Sequence, residues 1–104
     1  MDNTLMRSCY AEINLKNLSH NIDQIKKRVK QGTTIVGIIK ADGYGHGSYE
    51  VAKTLLEKGI TAFGVATLKE AVTLREKGIK EEIIILGITD SDFLDVICKY
   101  DLTP

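Results

Sequence analysis

The sequence lacks an excess of charge of either sign. Its 14 basic and 14 acidic residues cancel over 104 residues, and the longest block of one sign is Lys26-Lys27-Arg28. A nucleic-acid-binding surface needs clustered positive charge to neutralise phosphates, so that class of partner is disfavoured. We therefore expect a small molecule or a protein as the partner, and no nucleic acid.

Long apolar runs, a basic leader and a set of clustered cysteines are missing as well. The first residues, Met1-Asp2-Asn3-Thr4, carry an acid where a signal peptide carries base, and no apolar stretch reaches membrane-spanning length. Cys9 and Cys98 are far apart inside apolar segments, which predicts reduced, buried thiols rather than a disulfide framework or a metal site. We expect a cytoplasmic protein with no membrane partner.

What the sequence does contain is a repeated alternation of strand and helix patterns. Apolar runs rich in β-branched residues occupy residues 34–39, 60–66 and 83–88, and a helix-compatible segment follows each of them. Residues 102–104 then resemble the approach to a fourth strand. This pattern predicts parallel βα units and the α/β class, but barrels and doubly wound sheets share it.

Turn and capping residues predict where these elements begin and end. Residues 9–15 alternate loosely between apolar and polar, as a half-exposed strand would. Thr67 and Glu70 have capping-box spacing, while Gly59 and Gly78 suit left-handed helix ends. The other predicted features are a first helix with the apolar stripe Leu15, Leu18, Ile22, Ile25 and Val29 that ends at Gly32, and helix caps at Ser48 and at Asp90 or Ser91. Leu86, near the end of the third strand, is expected to be a buried core residue rather than part of a ligand site.

The apolar strands also bear on the extent of the protein. Parallel strands with nearly continuous apolar sequence need cover on both faces, and a chain that stops at Pro104 would leave hydrophobic rows and a sheet edge unpaired. We therefore expect this sequence to be the front of a longer protein.

Lys40 is the residue with the strongest case for chemistry. It ends the first apolar run and opens the loop Ala41-Asp42-Gly43-Tyr44-Gly45-His46-Gly47. The last side chain of such a strand emerges where α/β folds keep their sites, so an amine placed there is a candidate nucleophile. A lysine at this place is commonly just the solvated end of a strand, but the loop glycines, which let a ligand approach the backbone, favour a nucleophile.

The other polar residues of the loop allow more than one role. The Tyr44 phenol could donate a hydrogen bond to a phosphate or substrate oxygen, or its ring could pack on the loop. Asp42 and His46 are expected to form structural hydrogen bonds rather than a metal site, because no second His or Cys falls at ligand spacing. His20 is expected on the surface.

The glycine spacing of the loop matches neither of the common nucleotide-binding motifs. A Rossmann site needs G-x-G-x-x-G and an acidic residue after the next strand, where this chain has Val65, Ala66 and Thr67, and there is no P-loop sequence. A helix N-terminus behind a glycine loop can still hold a bare phosphate, so a phosphorylated cofactor remains open.

Ile38-Ile39-Lys40-Ala41-Asp42-Gly43-Tyr44-Gly45-His46-Gly47 closely resembles the pyridoxal-phosphate attachment motif of the alanine racemase family. Further similarity lies at residues 11–15, 20–22, 63–66 and 70–71, so the resemblance covers nearly the whole chain. Within the motif, Gly43 stands where many members have alanine. The family itself, rather than the spacing of elements, implies the start of a (β/α)8 TIM-type barrel.

The resemblance also implies a site and a domain arrangement. Residues 16–104 would form the first part of the barrel, and residues 1–15 would supply a strand that packs with a later, mostly β domain. Lys40 would bind pyridoxal 5'-phosphate through its amine and act as one of two acid-base groups, and Tyr44 would bind the cofactor phosphate; no metal is implied. The second base would be a tyrosine of the partner subunit in a homodimer, and no residue of this chain matches it.

The function that the resemblance implies is the interconversion of L- and D-alanine for peptidoglycan synthesis, with this chain as an N-terminal portion that is inactive alone. Three alternatives stay open. The chain could belong to a serine racemase or another amino-acid racemase of the family, or to a non-catalytic pyridoxal-phosphate-binding barrel protein. It could also be a complete but truncated product.

Overall fold

The computed structural model describes residues 9–104, in which parallel strands and helices alternate as the apolar pattern predicts. Three helices form the outer layer of successive βα units, and another precedes the first strand. No helix among these residues is long and apolar enough to cross a membrane. In chain order the elements are α1 Leu15–Arg28, β1 Val36–Ile38, the single turn α2 Lys40–Tyr44, α3 Ser48–Glu57, β2 Ala62–Val65, α4 Leu68–Glu76, β3 Glu82–Ile85, a 3-10 turn Ser91–Phe93 and α5 Leu94–Lys99.

The three strands form one parallel sheet in the order β1-β2-β3. Phe63 of β2 lies opposite Gly37 of β1 on one side and Ile83 of β3 on the other. Gly37 permits this close packing, since a Cβ there would lie 2.6 Å from Leu55 Cδ1 of α3. The strands of successive units are therefore neighbours in space.

The last residues of the chain distinguish between the two α/β architectures. Thr103 forms a parallel bridge with Ile84: its N–H donates to Ile83 O at 2.9 Å, and its carbonyl accepts from Ile85 N at 2.7 Å. The chain thus places a fourth extended segment beside β3, whereas a Rossmann sheet returns its fourth strand to the side of β1. The predicted start of a barrel is confirmed.

The sheet is buried on the helix side and open on the other. Phe63, Val65 and Ile83 are fully buried against α3 and α4, while Ile38 and Leu86 are 40% and 55% exposed. The open face carries the apolar row that sequence reasoning expected to need cover. The prediction that Leu86 is buried is wrong for the described residues, because it follows β3 on this open side.

The capping residues account for most of the helix boundaries. The Thr67 hydroxyl accepts from Glu70 N and the Glu70 carboxylate accepts from Thr67 N, so the predicted capping box opens α4. Gly59 and Gly78 follow α3 and α4 with φ of +82° and +101°, as predicted. Asp90 caps the 3-10 turn that leads into α5 by accepting from Asp92 N at 2.9 Å.

Residues 9–14 have no strand partner among the described residues, and Asn14 caps α1 by accepting from Lys16 N and Asn17 N. The β domain beside which this strand was predicted is not in the sequence, so the strand stays a prediction. Three other boundary or burial predictions need correction. The first helix ends at Arg28, before Gly32, because Val29 turns extended. Ser48 is the first residue of α3 rather than its cap. Both cysteines are unpaired and exposed rather than buried.

The domain assignment stays a prediction. Residues 1–8 of the predicted N-terminal strand lie outside the described residues, and the later β domain with which it would pack is not in this sequence.

The predicted apolar stripe of α1 packs against the core only in part, with Ile22 buried and Leu15 and Ile25 partly exposed.

Candidate active site

Lys40 follows the carboxyl end of β1, where sequence reasoning put it. Ile39 N still donates to Gly64 O of β2 at 2.9 Å, and the backbone then leaves the sheet at Ile39, with φ −127° and ψ 24°. The Lys40 side chain is half-buried. Among the described residues one salt bridge is present, between Lys58 and Asp23. The Lys40 amine therefore has no carboxylate partner within residues 9–104.

A left-handed turn comes directly after Lys40. Ala41, Asp42, Gly43 and Tyr44 have φ values of +52°, +54°, +64° and +57°. Left-handed backbone costs a non-glycine residue about 1–2 kcal/mol, so three of these four residues are strained. A run of such residues persists only where the surroundings stabilise it.

Backbone hydrogen bonds close the turn from within. Gly43 N donates to Ile39 O at 2.9 Å, Gly45 N to Ala41 O at 3.0 Å, and Gly47 N to Asp42 O at 2.8 Å. Gly45 and Gly47 themselves have φ of +84° and +90°, conformations that glycine adopts without a steric penalty. The glycines of the motif therefore serve the geometry of the turn.

Asp42 and His46 add side-chain bonds to the same turn. Asp42 Oδ1 accepts from Ser48 N at 2.9 Å, which satisfies a donor in the first turn of α3. His46 Nδ1 lies 3.0 Å from Gly43 O and 3.1 Å from Tyr44 O. Since carbonyls only accept, this nitrogen must carry the proton. The structural role predicted for both residues agrees with these contacts.

Glu70 makes two sets of contacts, and the sequence predicts only the first of them. Its capping-box spacing was evident, and its Oε1 accepts from Ala66 N at 2.9 Å and Thr67 N at 3.0 Å. Its Oε2 accepts from Ala41 N at 2.6 Å, across from the neighbouring βα unit. No local spacing reveals this second contact, because 29 residues separate the partners.

Tyr44 ends the turn with its side chain 59% exposed. Together with His46 it borders a cleft of about 570 Å³, whose other wall includes Asn14, Asn17 and Asn21 from the start of α1. Lys40 is not among the residues that line this cleft. The structure therefore puts the two predicted site residues on one turn, at its two ends, without bringing them into one enclosed pocket.

Other parts of the candidate site can be placed as well. His20 is exposed on α1, as expected. Among residues 9–104, no three His, Cys, Asp or Glu side chains lie close enough together to hold a metal ion. The chemistry-bearing groups at this edge of the sheet are thus an amine, a phenol and a carboxylate that accepts backbone N–H groups.

Comparison with known proteins gives this arrangement a family. The model of the alanine racemase N-terminal domain matches residues 13–104. The chain belongs to the alanine racemase family. Its α/β barrel start, with Lys40 after the first strand, is the part of that family that the chain contains.

Individual relatives agree with this assignment. An alanine racemase of Clostridium kluyveri is 49% identical over 98 residues, which is 94% of this chain and 25% of that protein. The crystal structure of alanine racemase from E. faecalis superposes with a TM-score of 0.83 at 38% identity, covering 86% of this chain and 24% of that one. A histidine racemase from Leuconostoc mesenteroides gives a TM-score of 0.76 at 30% identity, covering 85% of this chain and 23% of that one.

The chain spans about a quarter of the length of these relatives. What the complete relatives do is therefore a guide to the function of this chain rather than a finding about it.

Proposed function

We propose that this chain is the N-terminal part of a pyridoxal-phosphate-dependent alanine racemase, which interconverts L- and D-alanine for peptidoglycan synthesis. The observation that carries the proposal is the position of Lys40 after the first barrel strand, followed by a turn that presents Tyr44. An amine and a phenol at the carboxyl edge of parallel strands occupy the part of the fold where barrel enzymes keep their reactive groups.

The residues present fit pyridoxal phosphate. The Lys40 amine is half-buried and has no carboxylate partner among the described residues, so it is available to bind an aldehyde covalently. The exposed Tyr44 phenol can donate to a phosphate oxygen. The bound cofactor would supply an electron sink that stabilises negative charge at the α-carbon of an amino acid.

The part of the reaction that belongs to this chain is proton transfer at Lys40 Nζ. A racemase must remove the α-proton on one face of the substrate and return a proton on the other, so it needs two acid-base groups. Lys40 would be one of them, oriented by the turn behind it. The second would come from the partner subunit of a homodimer, and we therefore expect no racemisation from this chain alone.

The proposed racemase has two candidate substrate classes. Structural similarity to a histidine racemase at 30% identity supports a second candidate, another amino-acid racemase of the same family. We retain alanine because the relatives with the higher identities are alanine racemases. A cytoplasmic location is part of the same proposal.

Covalent trapping tests the proposal directly. The purified chain is mixed with pyridoxal phosphate, reduced with borohydride and digested, and the modified lysine is mapped by mass spectrometry. We expect the label on Lys40 and its loss in Lys40→Arg, which keeps the charge but cannot form the bond. Lys16→Arg, at an exposed position on α1, is the matched control and should leave the label unchanged.

Two results would overturn the assignment. A label on Lys16 or Lys58 with Lys40 unmodified would show that the site is elsewhere. Sustained racemisation of alanine by the chain alone would show that a second base is present here after all. Labelling of Lys40 in the full reading frame without any racemisation would favour the non-catalytic binding protein.

A further inference from the structure

We infer that Glu70 is a positioning residue for Lys40, acting through the backbone of the left-handed turn. The inference rests on the proposed function for its chemical meaning, but the contact on which it depends can be tested without any cofactor. Glu70 lies in the first turn of α4, one βα unit beyond Lys40, and its carboxylate accepts a hydrogen bond from Ala41 N in the turn.

The two carboxylate oxygens of Glu70 have separate duties. Oε1 accepts from the N–H groups of Ala66 and Thr67 and so binds the end of β2 to the start of α4. Oε2 accepts from Ala41 N at 2.6 Å, the peptide N–H that immediately follows Lys40. One carboxylate thus joins the carboxyl ends of β1 and β2 at the edge where the reactive amine lies.

The turn needs an external anchor because its conformation is unfavourable. Ala41, Asp42 and Tyr44 are non-glycine residues with φ between +52° and +57°. Hydrogen bonds within the turn satisfy its later residues, His46 Nδ1 donates to carbonyls of the turn itself, and Asp42 accepts from Ser48 N at the start of α3. Among the described residues, Glu70 is the acceptor for the first N–H of the turn, next to Lys40.

The position of that bond determines its effect on the amine. The peptide plane that contains Ala41 N also contains Cα, C and O of Lys40. Holding Ala41 N therefore restricts the ψ angle of Lys40 and the position of the Cα atom that carries the amine side chain. A hydrogen bond to an ionised acceptor is stronger than a neutral one and constrains direction more tightly. Losing the bond would let the turn relax and would misplace the Lys40 amine without removing any group that reacts.

Glu70→Gln separates the two duties. Glutamine supports a capping box through its amide oxygen, so α4 should keep its start. Its amide nitrogen then faces Ala41 N–H, a donor against a donor, and the anchor is lost. The matched control is Thr67→Ala, which weakens the cap of α4 but leaves the carboxylate and Ala41 N in place.

Amide hydrogen exchange, followed by NMR on the chain without cofactor, is the first measurement. We expect the Ala41 amide to exchange about tenfold faster in Glu70→Gln than in the unmodified chain, while Thr67→Ala leaves it unchanged. Pyridoxal-phosphate labelling of Lys40 is the second. Its apparent dissociation constant should rise about tenfold in Glu70→Gln and stay the same in Thr67→Ala.

The outcomes separate this inference from the proposed function. Unchanged exchange at Ala41 in Glu70→Gln would overturn the anchor, whatever the labelling shows. Faster exchange with unaltered labelling of Lys40 would overturn its positioning role. If the Ala41 amide exchanges faster in Glu70→Gln but Lys40 takes up no pyridoxal phosphate even in the chain without the substitution, the anchor is supported and the proposed cofactor is contradicted.

Discussion

Tyr44 is the residue of the turn whose side chain is free to meet a ligand. Asp42 and His46 are already committed to hydrogen bonds that close the turn, whereas the Tyr44 ring is 59% exposed. The backbone of Tyr44 is also held at φ +57°, a conformation unusual for an aromatic residue. The turn therefore fixes the position and direction of the Cα–Cβ bond that carries the phenol. A phenol presented in this way suits a phosphate.

Tyr44→Phe should therefore weaken the binding of pyridoxal phosphate to the chain and leave the binding of pyridoxal, which has no phosphate, unchanged. A hydrogen bond to a charged acceptor contributes about 1.5 kcal/mol or more, which is roughly tenfold in affinity. Absorbance titrations with the two aldehydes measure the difference. Tyr10→Phe, at another exposed tyrosine, is the control, and an equal loss for pyridoxal would contradict a phosphate contact.

Among the helices, α1 is joined to the rest of the fold by charged side chains as well as by Ile22. Lys58 Nζ, just after α3, lies 3.0 Å from Asp23 Oδ2, and Lys26 Nζ donates to Lys58 O at 2.7 Å. The hydrogen bond from the Lys58 ammonium lowers the pKa of Asp23 from its usual value of 3.8. The ion pair thus favours the charged carboxylate in the folded state.

A lowered pKa in the folded state fixes the direction of the pH dependence. The contribution of Asp23 to stability is present above pH 3.8 and is lost as the pH falls through the lower folded value. Asp23→Asn should therefore be less stable than the unmodified chain at neutral pH, and the gap should close in acid. Urea midpoints at several pH values measure it; a gap that widens on acidification would contradict the pairing.

Arg75 connects α4 to the segments on either side of it. Its guanidinium donates to the carbonyls of Ile79 and Glu81 before β3, and to those of Tyr100 and Asp101 before the Thr103 bridge, at 2.6 to 2.8 Å. Arg75→Ala would leave four carbonyls without this donor set. We expect a loss of about 3 kcal/mol in the free energy of unfolding, measured by urea denaturation followed by circular dichroism.

Two further variants define what Arg75 does. Arg75→Lys keeps the charge but not the planar fork, so it should recover only part of the loss. Lys80→Ala, at an exposed neighbouring position, should change stability by less than about 0.5 kcal/mol. Full recovery by lysine would mean that charge alone, and not the set of carbonyl contacts, explains the effect.

For the molecule as a whole, one apolar layer between the sheet and its helices holds the successive units together. Phe63 is fully buried at the centre of this layer, between Gly37 and Ile83 in the register of the sheet. The opposite face of the sheet stays open among the described residues, with Ile38 and Leu86 exposed. The core is therefore one-sided, and Phe63 is among its largest fully buried side chains.

Phe63→Ala should cost about 3–5 kcal/mol, because it removes a buried ring and leaves a cavity. That is a large part of the roughly 5–15 kcal/mol available to a domain, so we expect loss of cooperative unfolding near room temperature. Ile83→Val, one methylene smaller at the paired position, should cost about 0.5–1.5 kcal/mol and unfold cooperatively. Thermal melts followed by circular dichroism distinguish these outcomes, and a cooperative melt of Phe63→Ala would show that the core lies elsewhere.

Local order was predictable because its causes are local. The capping box of Thr67 and Glu70 and the glycine ends at Gly59 and Gly78 involve neighbours within a few positions, and each is confirmed. The strand predicted at residues 9–15 stays a prediction, because a strand forms only beside another strand and the β domain that would supply its partner is not in this sequence. The burial of Cys98 and Leu86 was wrong because an apolar neighbourhood in sequence does not say which face of an element is covered.

By itself, the sequence determined the succession of βα units, the place of Lys40 at the end of the first strand and the kinship of its loop. These follow from spacing and from chemistry within a few residues. Only the tertiary structure decided that Thr103 lies beside β3, that the loop is a left-handed turn, and that Glu70 binds Ala41 N. The Thr103 bridge and the Glu70 contact join residues distant in sequence, and the turn, although its own hydrogen bonds are local, is anchored by the second of them. Such contacts exist only when the sheet brings its units together.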